Sequence, residues 1–296
     1  MKRTGHTGAK ARSGVLVTLG LAIGVFASPG QPVFANELAV DLPVSALEAC
    51  VSPAEERTRV YPTVEQDIFQ SESGDRFFAA DIRRPEGTGS EGLVIAAGAF
   101  ETGSLQAVRA GPANRWGLYP AWLITVDEGN EQLVQARTLE QGDVLYAPER
   151  SSGICAAFLG HAEDLARARE SGLWHRVETC PVLHGSDPVK LQSVVGHYVI
   201  ARGRIVSLGK TRSTRYLNFG KYWKTDFTVT LKASDEESFD QALVLSGTRV
   251  EDLAGRMVEL RGVVQLKDGP LIALGHPGQL KVLDNNRARR GSQNVN

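Results

Sequence analysis

Apolar positions along the chain follow two rhythms, and the switches between them mark its elements. A strand-like alternation runs through short segments. Ile68-Phe69 and Phe77-Phe78 flank the polar turn Glu72-Ser73-Gly74-Asp75, the pattern of a β-hairpin. Further strands are expected at Leu105–Arg109 and Tyr119–Val126, joined through Gly111–Gly117. A second series follows at Tyr198–Ser207, Arg215–Phe219, Phe227–Leu231, Met257–Leu266 and Leu271–Leu274, with Lys267-Asp268-Gly269-Pro270 as the last hairpin turn. The helical rhythm is clearest in Cys155–Trp174. There Phe158, Leu159, Ala162, Leu165, Ala166 and Leu173 share one face, and Glu163, Asp164, Arg167, Arg169 and Glu170 cover the other. Shorter helices are expected at Val44–Cys50, at Leu133–Gln141 before Gly142, and at Asp235–Leu243.

This succession predicts a mainly β chain with some helix, of the α+β class. Several short strands and one helix within fewer than a hundred residues make the second half a small antiparallel barrel of the OB type. The expected layout is a presequence over 1–35, a polar leader over 36–59, a first domain over 60–176, a linker over 177–190, the second barrel over 191–284 and a disordered tail over 285–296.

The presequence has the three parts of a secretory signal. Lys2, Arg3, Lys10 and Arg12 precede the apolar run Val15–Ala27, and Val33-Phe34-Ala35 supplies small residues for cleavage. The apolar run is too short to span a bilayer, and no later run is long enough. The protein is therefore expected to be exported, periplasmic or secreted. Its removal leaves 29 of the 33 bases against 34 acids, a net charge of −5.

Export permits a disulfide among Cys50, Cys155 and Cys180. The helix opening at Cys155 carries the chain roughly 27 Å away. The seven residues from Leu173 to Cys180 return at most about 25 Å. That leaves Cys50–Cys155 or Cys50–Cys180, and we take the first.

Against an acidic background, the segment from Lys190 to Lys224 holds eight Lys and Arg residues and no Asp or Glu. Aromatic residues are interleaved with them, as on a nucleic-acid-binding strand pair. The contact residues read from it are Arg202, Arg204, Lys210, Arg212, Arg215, Tyr216, Lys221, Tyr222, Trp223 and Lys224, with nucleic acid or another polyanion as the partner. Alternation puts Leu217 and Phe219 on one side and Tyr216 and Asn218 on the other, so one of the two aromatics belongs to the core. Other chemistry is absent from the pattern. Gly87–Gly92 has Gly-x-Gly-x-x-Gly spacing outside any βαβ unit, the histidines lack zinc-ligand spacing, and no Gly-x-Ser-x-Gly occurs. No cofactor is expected.

Two stretches carry a resemblance. The helix closing on Gly172-Leu173-Trp174 looks like the last helix of the thermonuclease (micrococcal-nuclease-like) family. The hairpin Val64–Glu86 aligns with that family's first catalytic hairpin, which opens on Asp-Gly-Asp-Thr and ends in Pro-Glu. Tyr216–Gly220 and Asp226–Thr228 are similar to a C-terminal domain found on some exported members. The resemblance implies a thermonuclease-like OB-fold first domain. It also implies calcium-dependent phosphodiester hydrolysis using acids for the metal, a Glu as base and two arginines on the phosphate. Carried over residue by residue, Asp67 takes the metal position and Glu86 the base. Phe78 and Leu118 replace the two arginines, and Arg83 replaces a metal-binding acid. The expectation is a degenerate pseudo-nuclease that binds nucleic acid or another polyanion. The alternative is a weak calcium-dependent nuclease built on Asp67 and Glu86.

Overall fold

The computed structural model describes residues 45–65, 67–84, 104–175, 182–222 and 224–283. The expected presequence, Glu86, the Gly87–Gly92 stretch, Cys180, Trp223 and the expected tail lie outside the described residues.

Two barrels succeed one another. In the first, β1 (Thr58–Pro62), β2 (Ile68–Ser71), β3 (Arg76–Ala79), β5 (Ser104–Arg109) and β6 (Leu118–Asp127) form a closed ring, with β4 (Ile82–Arg83) set aside. β1 lies between β2 and β5, and β6 closes the ring by running parallel to β3, with Arg76 opposite Leu118. The predicted hairpin is β2–β3, Ile68 facing Phe78 across it. Phe69, Phe77, Leu105 and Leu123 fill the interior. β7 (Asn130–Leu133) extends β6, and helix α2 (Val134–Gln141) follows at once. Gln135 on α2 is fully buried because its amide continues the ladder that β7 abandons. It donates to the Ala121 carbonyl at 2.8 Å and accepts from the Leu123 amide at 3.2 Å.

α2 stops at Gly142, whose φ of 79° is left-handed. A side chain there would strike the Ser171 carbonyl, and one on Gly172 would strike Gly142. The two backbones cross at these glycines and bond, Leu173 N–H donating to the Gly142 carbonyl at 2.8 Å. The crossing seats the 3-10 turn Gly172–Trp174 beyond helix α3 (Gly153–Ala168), so the helical rhythm over Cys155–Trp174 is divided between two elements. Helix α1 (Ala46–Cys50) is tied to α3 by the Cys50–Cys155 disulfide, Cα to Cα 4.7 Å. That is the first of the two pairings that chain reach left open.

The second sheet repeats the strand order. β10 (Tyr198–Arg204) and β11 (Ser207–Lys210) are halves of one bent strand. At the bend, Ile205 N–H donates to the Arg256 carbonyl beside β14, and Val206 N–H donates to Asn218 on β12. β12 (Thr214–Asn218), β13 (Thr228–Lys232), β15 (Pro270–Leu274) and β14 (Met257–Leu266) complete the path back to β10. The expectation of a purely antiparallel barrel is corrected here. β13 and β15 run parallel, as β3 and β6 do, because this order sets the third strand beside the fifth. Helix α5 (Glu236–Leu243) follows β13 and buries Phe239 and Leu243. Within the segment expected as a linker, β9 (Val182–His184) pairs in parallel with β10, and α4 (Pro188–Gln192) is capped by Asp187.

The two interiors are separate clusters, yet Leu145, Ala147, Ala166 and Ile200 are buried and belong to neither. They lie where the outer side of β10 and β14 meets α3 and β8 (Leu145–Tyr146). Part of the polar face of α3, at Glu163 and Arg167, is accordingly withdrawn from solvent. Glu163 is 1% exposed and Glu259, on the outer side of β14, is 2% exposed. Arg261 donates to both, 2.8 Å from Glu163 Oε2 and 2.7 Å from Glu259 Oε1. Arg167 also joins the two carboxylates, at 2.7 Å each, and stacks on Trp174. Backbone closes the shell: Tyr146 N–H donates to Glu163 at 2.9 Å, and the Tyr146 carbonyl accepts from Arg261 and from the Tyr198 hydroxyl. Lys281–Asp164 adds an exposed pair at the rim.

Burial alone would raise the Glu259 carboxyl, but the bonds and charges of Arg167, Arg261 and Arg202 outweigh it and hold it at about 2. Because this value lies below the ordinary 4.5, Glu259 contributes stability that is complete above pH 4.5 and lost as pH falls toward 2. That contribution is on the order of 3 kcal/mol. Thermal melts should therefore lose stability across this acid window, and E259Q should melt lower at neutral pH with a flattened acid limb. Chemical denaturation should separately show C50S about 3–5 kcal/mol less stable than the oxidised protein, since the bridge closes a long loop.

Candidate polyanion-binding surface

Asp67 precedes β2 in a left-handed conformation, φ 63°. Its carboxylate lies 3.7 Å from the Arg84 guanidinium. Arg84 also acts on Asp143, whose carboxyl is raised by burial and pulled partly back by that guanidinium. The positive charge at the expected metal position is thus an arginine. Calcium takes roughly six to eight oxygen ligands. Among the described residues no group of three or more His, Cys, Asp or Glu is arranged to hold a metal. The described residues around Asp67 do not fit the ion. Phe78 lies on β3 opposite Ile68, Leu118 opens β6, and Arg83 is exposed and paired with Glu149 at 2.8 Å. These positions are brought near the hairpin without forming a phosphate clamp.

The basic run is divided by the fold. Arg202 bonds Glu259 at 2.8 Å, so it serves the junction between barrels. Arg204 donates to the Gly255 carbonyl at 2.6 Å, and Arg215 bonds Glu236 at 2.8 Å and the Thr211 carbonyl at 3.0 Å. Arg204 and Arg215 thus hold the second barrel together. Lys210, Arg212 and Lys221 are exposed and make no ion pair among the described residues. Sequence reading missed Lys232 and Lys267, which are equally exposed. The signal for Lys232 was strand register, since it stands opposite Thr214. Lys267 was visible in the last hairpin turn but lies outside the basic run.

Two ends of β12 carry these cations. At one end the β11–β12 turn brings Lys210 and Arg212 near Lys232. At the other, residues 219–227 form a clasped loop. Phe219 N–H donates to the Phe227 carbonyl at 3.0 Å, and the two buried rings stand 4.9 Å apart. Asp226 accepts from the Tyr222 amide at 2.8 Å and crowds Gly220 so closely that any Cβ there would overlap its carboxylate. The clasp projects Lys221 and leaves Tyr222 73% exposed. Gly269 of the β14–β15 turn packs on the Thr225–Asp226 backbone, which fixes Lys267 alongside.

Between the two ends lies the outer face of β11, β12 and β13. Leu217, Val229 and Leu231 point inward. The outward rows are Gly209–Tyr216–Thr230 and Ser207–Asn218–Thr228. Asn218 donates to Ser207 Oγ at 3.2 Å and accepts from Thr228 at 3.4 Å. No carboxylate stands in either row. Alternation required that one of the two aromatics turn inward, and it is Phe219 that is core while Tyr216 faces outward. An open groove of about 630 Å³ lies elsewhere, beside α5, and its lining includes Glu236, Glu237, Asp240 and Glu251. Its charge suits no polyanion.

Comparison with known proteins assigns no kinship: no family model matches the chain, and no curated protein matches it.

Proposed function

We propose that this is an exported, thermonuclease-like protein with a degenerate catalytic hairpin, acting as a non-catalytic module that binds nucleic acid or another polyanion through its second barrel. The observation that carries this reading is the arrangement of Lys210, Arg212, Lys232, Lys221 and Lys267 at the two ends of an outer sheet face that carries no acid. Lysines and arginines that are not spent on internal pairs are available to replace phosphate counterions. In the first barrel, Arg84 beside Asp67 supports the loss of the metal, and Phe78 and Leu118 support the loss of phosphate stabilisation. The Cys50–Cys155 bridge is in keeping with an oxidising compartment. No helix of the described residues is long and apolar enough to cross a membrane.

Binding of the protein to poly(dT) or heparin should weaken linearly in log–log form as salt rises. The triple variant Lys210→Ala/Arg212→Ala/Lys221→Ala should show a shallower slope by about two to three. A salt-independent interaction, or one unaffected by that variant, would sink the reading. Incubation with plasmid DNA and calcium should leave the substrate intact. Calcium-dependent cleavage that D67A/E86A abolishes would establish the hydrolytic alternative instead.

A further inference from the structure

Resting on the polyanion reading, we infer that the outer face of β12 is a track for a single-stranded polynucleotide, with Tyr216 and Tyr222 as its two stacking positions. Tyr216 is half-buried and Tyr222 exposed, and each is presented by fixed backbone. Tyr216 lies in the middle of a three-strand row, and Gly209 opposite it places no side chain beside the ring. Tyr222 is held by the Asp226 clasp, in which Thr225 and Asp226 amides both donate to the Tyr222 carbonyl, at 2.9 and 2.8 Å. Aromatic rings held this way bind bases with little ordering cost.

The charges are placed to match. Lys210, Arg212 and Lys232 stand beyond the Thr214 end of β12, and Lys221 and Lys267 beyond the Asn218 end. The strand between them is five residues, about 17 Å at 3.4 Å per residue. The middle is neutral, made of hydroxyls and one amide: Thr214, Asn218, Thr228 and Thr230 beside Tyr216. A uniform cationic stripe would favour any polyanion. Cations at both ends with an aromatic and hydrogen-bonding middle favour a strand whose phosphates reach the ends while its bases lie on the sheet. Duplex DNA keeps its bases stacked internally and offers Tyr216 and Tyr222 no ring face. Asp226 and Asp268 are acids at the Tyr222 end. Asp226 is turned inward onto the Tyr222 amide, and Asp268 is exposed at the tip of the β14–β15 turn. The occupied length corresponds to the low end of site sizes for barrels of this type, about four to five nucleotides.

The test is fluorescence anisotropy of the full mature chain with labelled dT oligomers of increasing length, with a duplex of equal length, and with heparin. Affinity for dT should climb until about five nucleotides and level afterwards, and exceed that for duplex by at least about tenfold. Y216A and Y222A should each weaken dT binding by about 5- to 100-fold and leave heparin binding unchanged. Y216F should retain wild-type affinity, which separates stacking from loss of fold. Equal affinity for duplex and single strand, or dT binding indifferent to both alanine variants while heparin still binds in a salt-dependent manner, overturns the track and leaves the polyanion reading standing. Failure to bind dT, duplex and heparin alike overturns both.

Discussion

Two carboxylates and two guanidiniums, nearly withdrawn from water between the barrels, are the constraint on which the arrangement of this protein depends. Removing Glu163, Arg167, Glu259 or Arg261 alone leaves a charge without its counterpart in a dry junction, a loss of about 3–5 kcal/mol in comparable sites. The cluster does more than hold. Each carboxylate accepts from both arginines, so the geometry admits one registration of α3 against β14 and rejects its neighbours. Apolar contacts from Leu145, Ala147, Ala166 and Ile200 surround it but would tolerate sliding. Direction comes from the ions, and area comes from the apolar ring.

The tandem character of the chain emerges only in the hydrogen-bond pattern. Both barrels place the first strand between the second and fourth and set the third parallel to the fifth. They share no evident sequence period, because an OB-type ring constrains only which positions face inward. Phe77 and Leu123 in one core and Leu217 and Val229 in the other meet that requirement with different residues. What differs is the use of the outer face. In the first barrel β7 and α2 extend and cover β6. In the second barrel β11 to β13 keep an uncovered face between cationic ends.

Much of this was legible from residue order. The β2–β3 hairpin and the Gly142 stop follow from turn chemistry, while chain reach excluded only Cys155–Cys180 and alternation required only that one of Tyr216 and Phe219 turn inward. The functional face was only half legible. A run of bases shows that charge is concentrated, and cannot show that Arg202, Arg204 and Arg215 bond Glu259, Gly255 and Glu236, partners 21 to 57 residues away. The same limit hid the second burial of α3. Helical periodicity separates an apolar from a charged face, and a charged face covered by its own counterions from another element looks identical to one covered by water. Asp67 illustrates the converse, for its partner Arg84 was in plain view seventeen residues later and no pattern tied the two.

The ions at the junction also bear on the order in which the chain is made. Arg261 stands 98 residues after Glu163, so the first barrel and α3 can be complete while nothing yet exists to cover them. During that interval α3 presents Glu163, Asp164 and Arg167 to solvent, and hydrated charges do not recruit other nascent chains. A junction of leucines would suit the finished protein as well or better, but it would expose a greasy helix throughout synthesis. The polar seam makes the half-built molecule tolerable as well as the whole one specific.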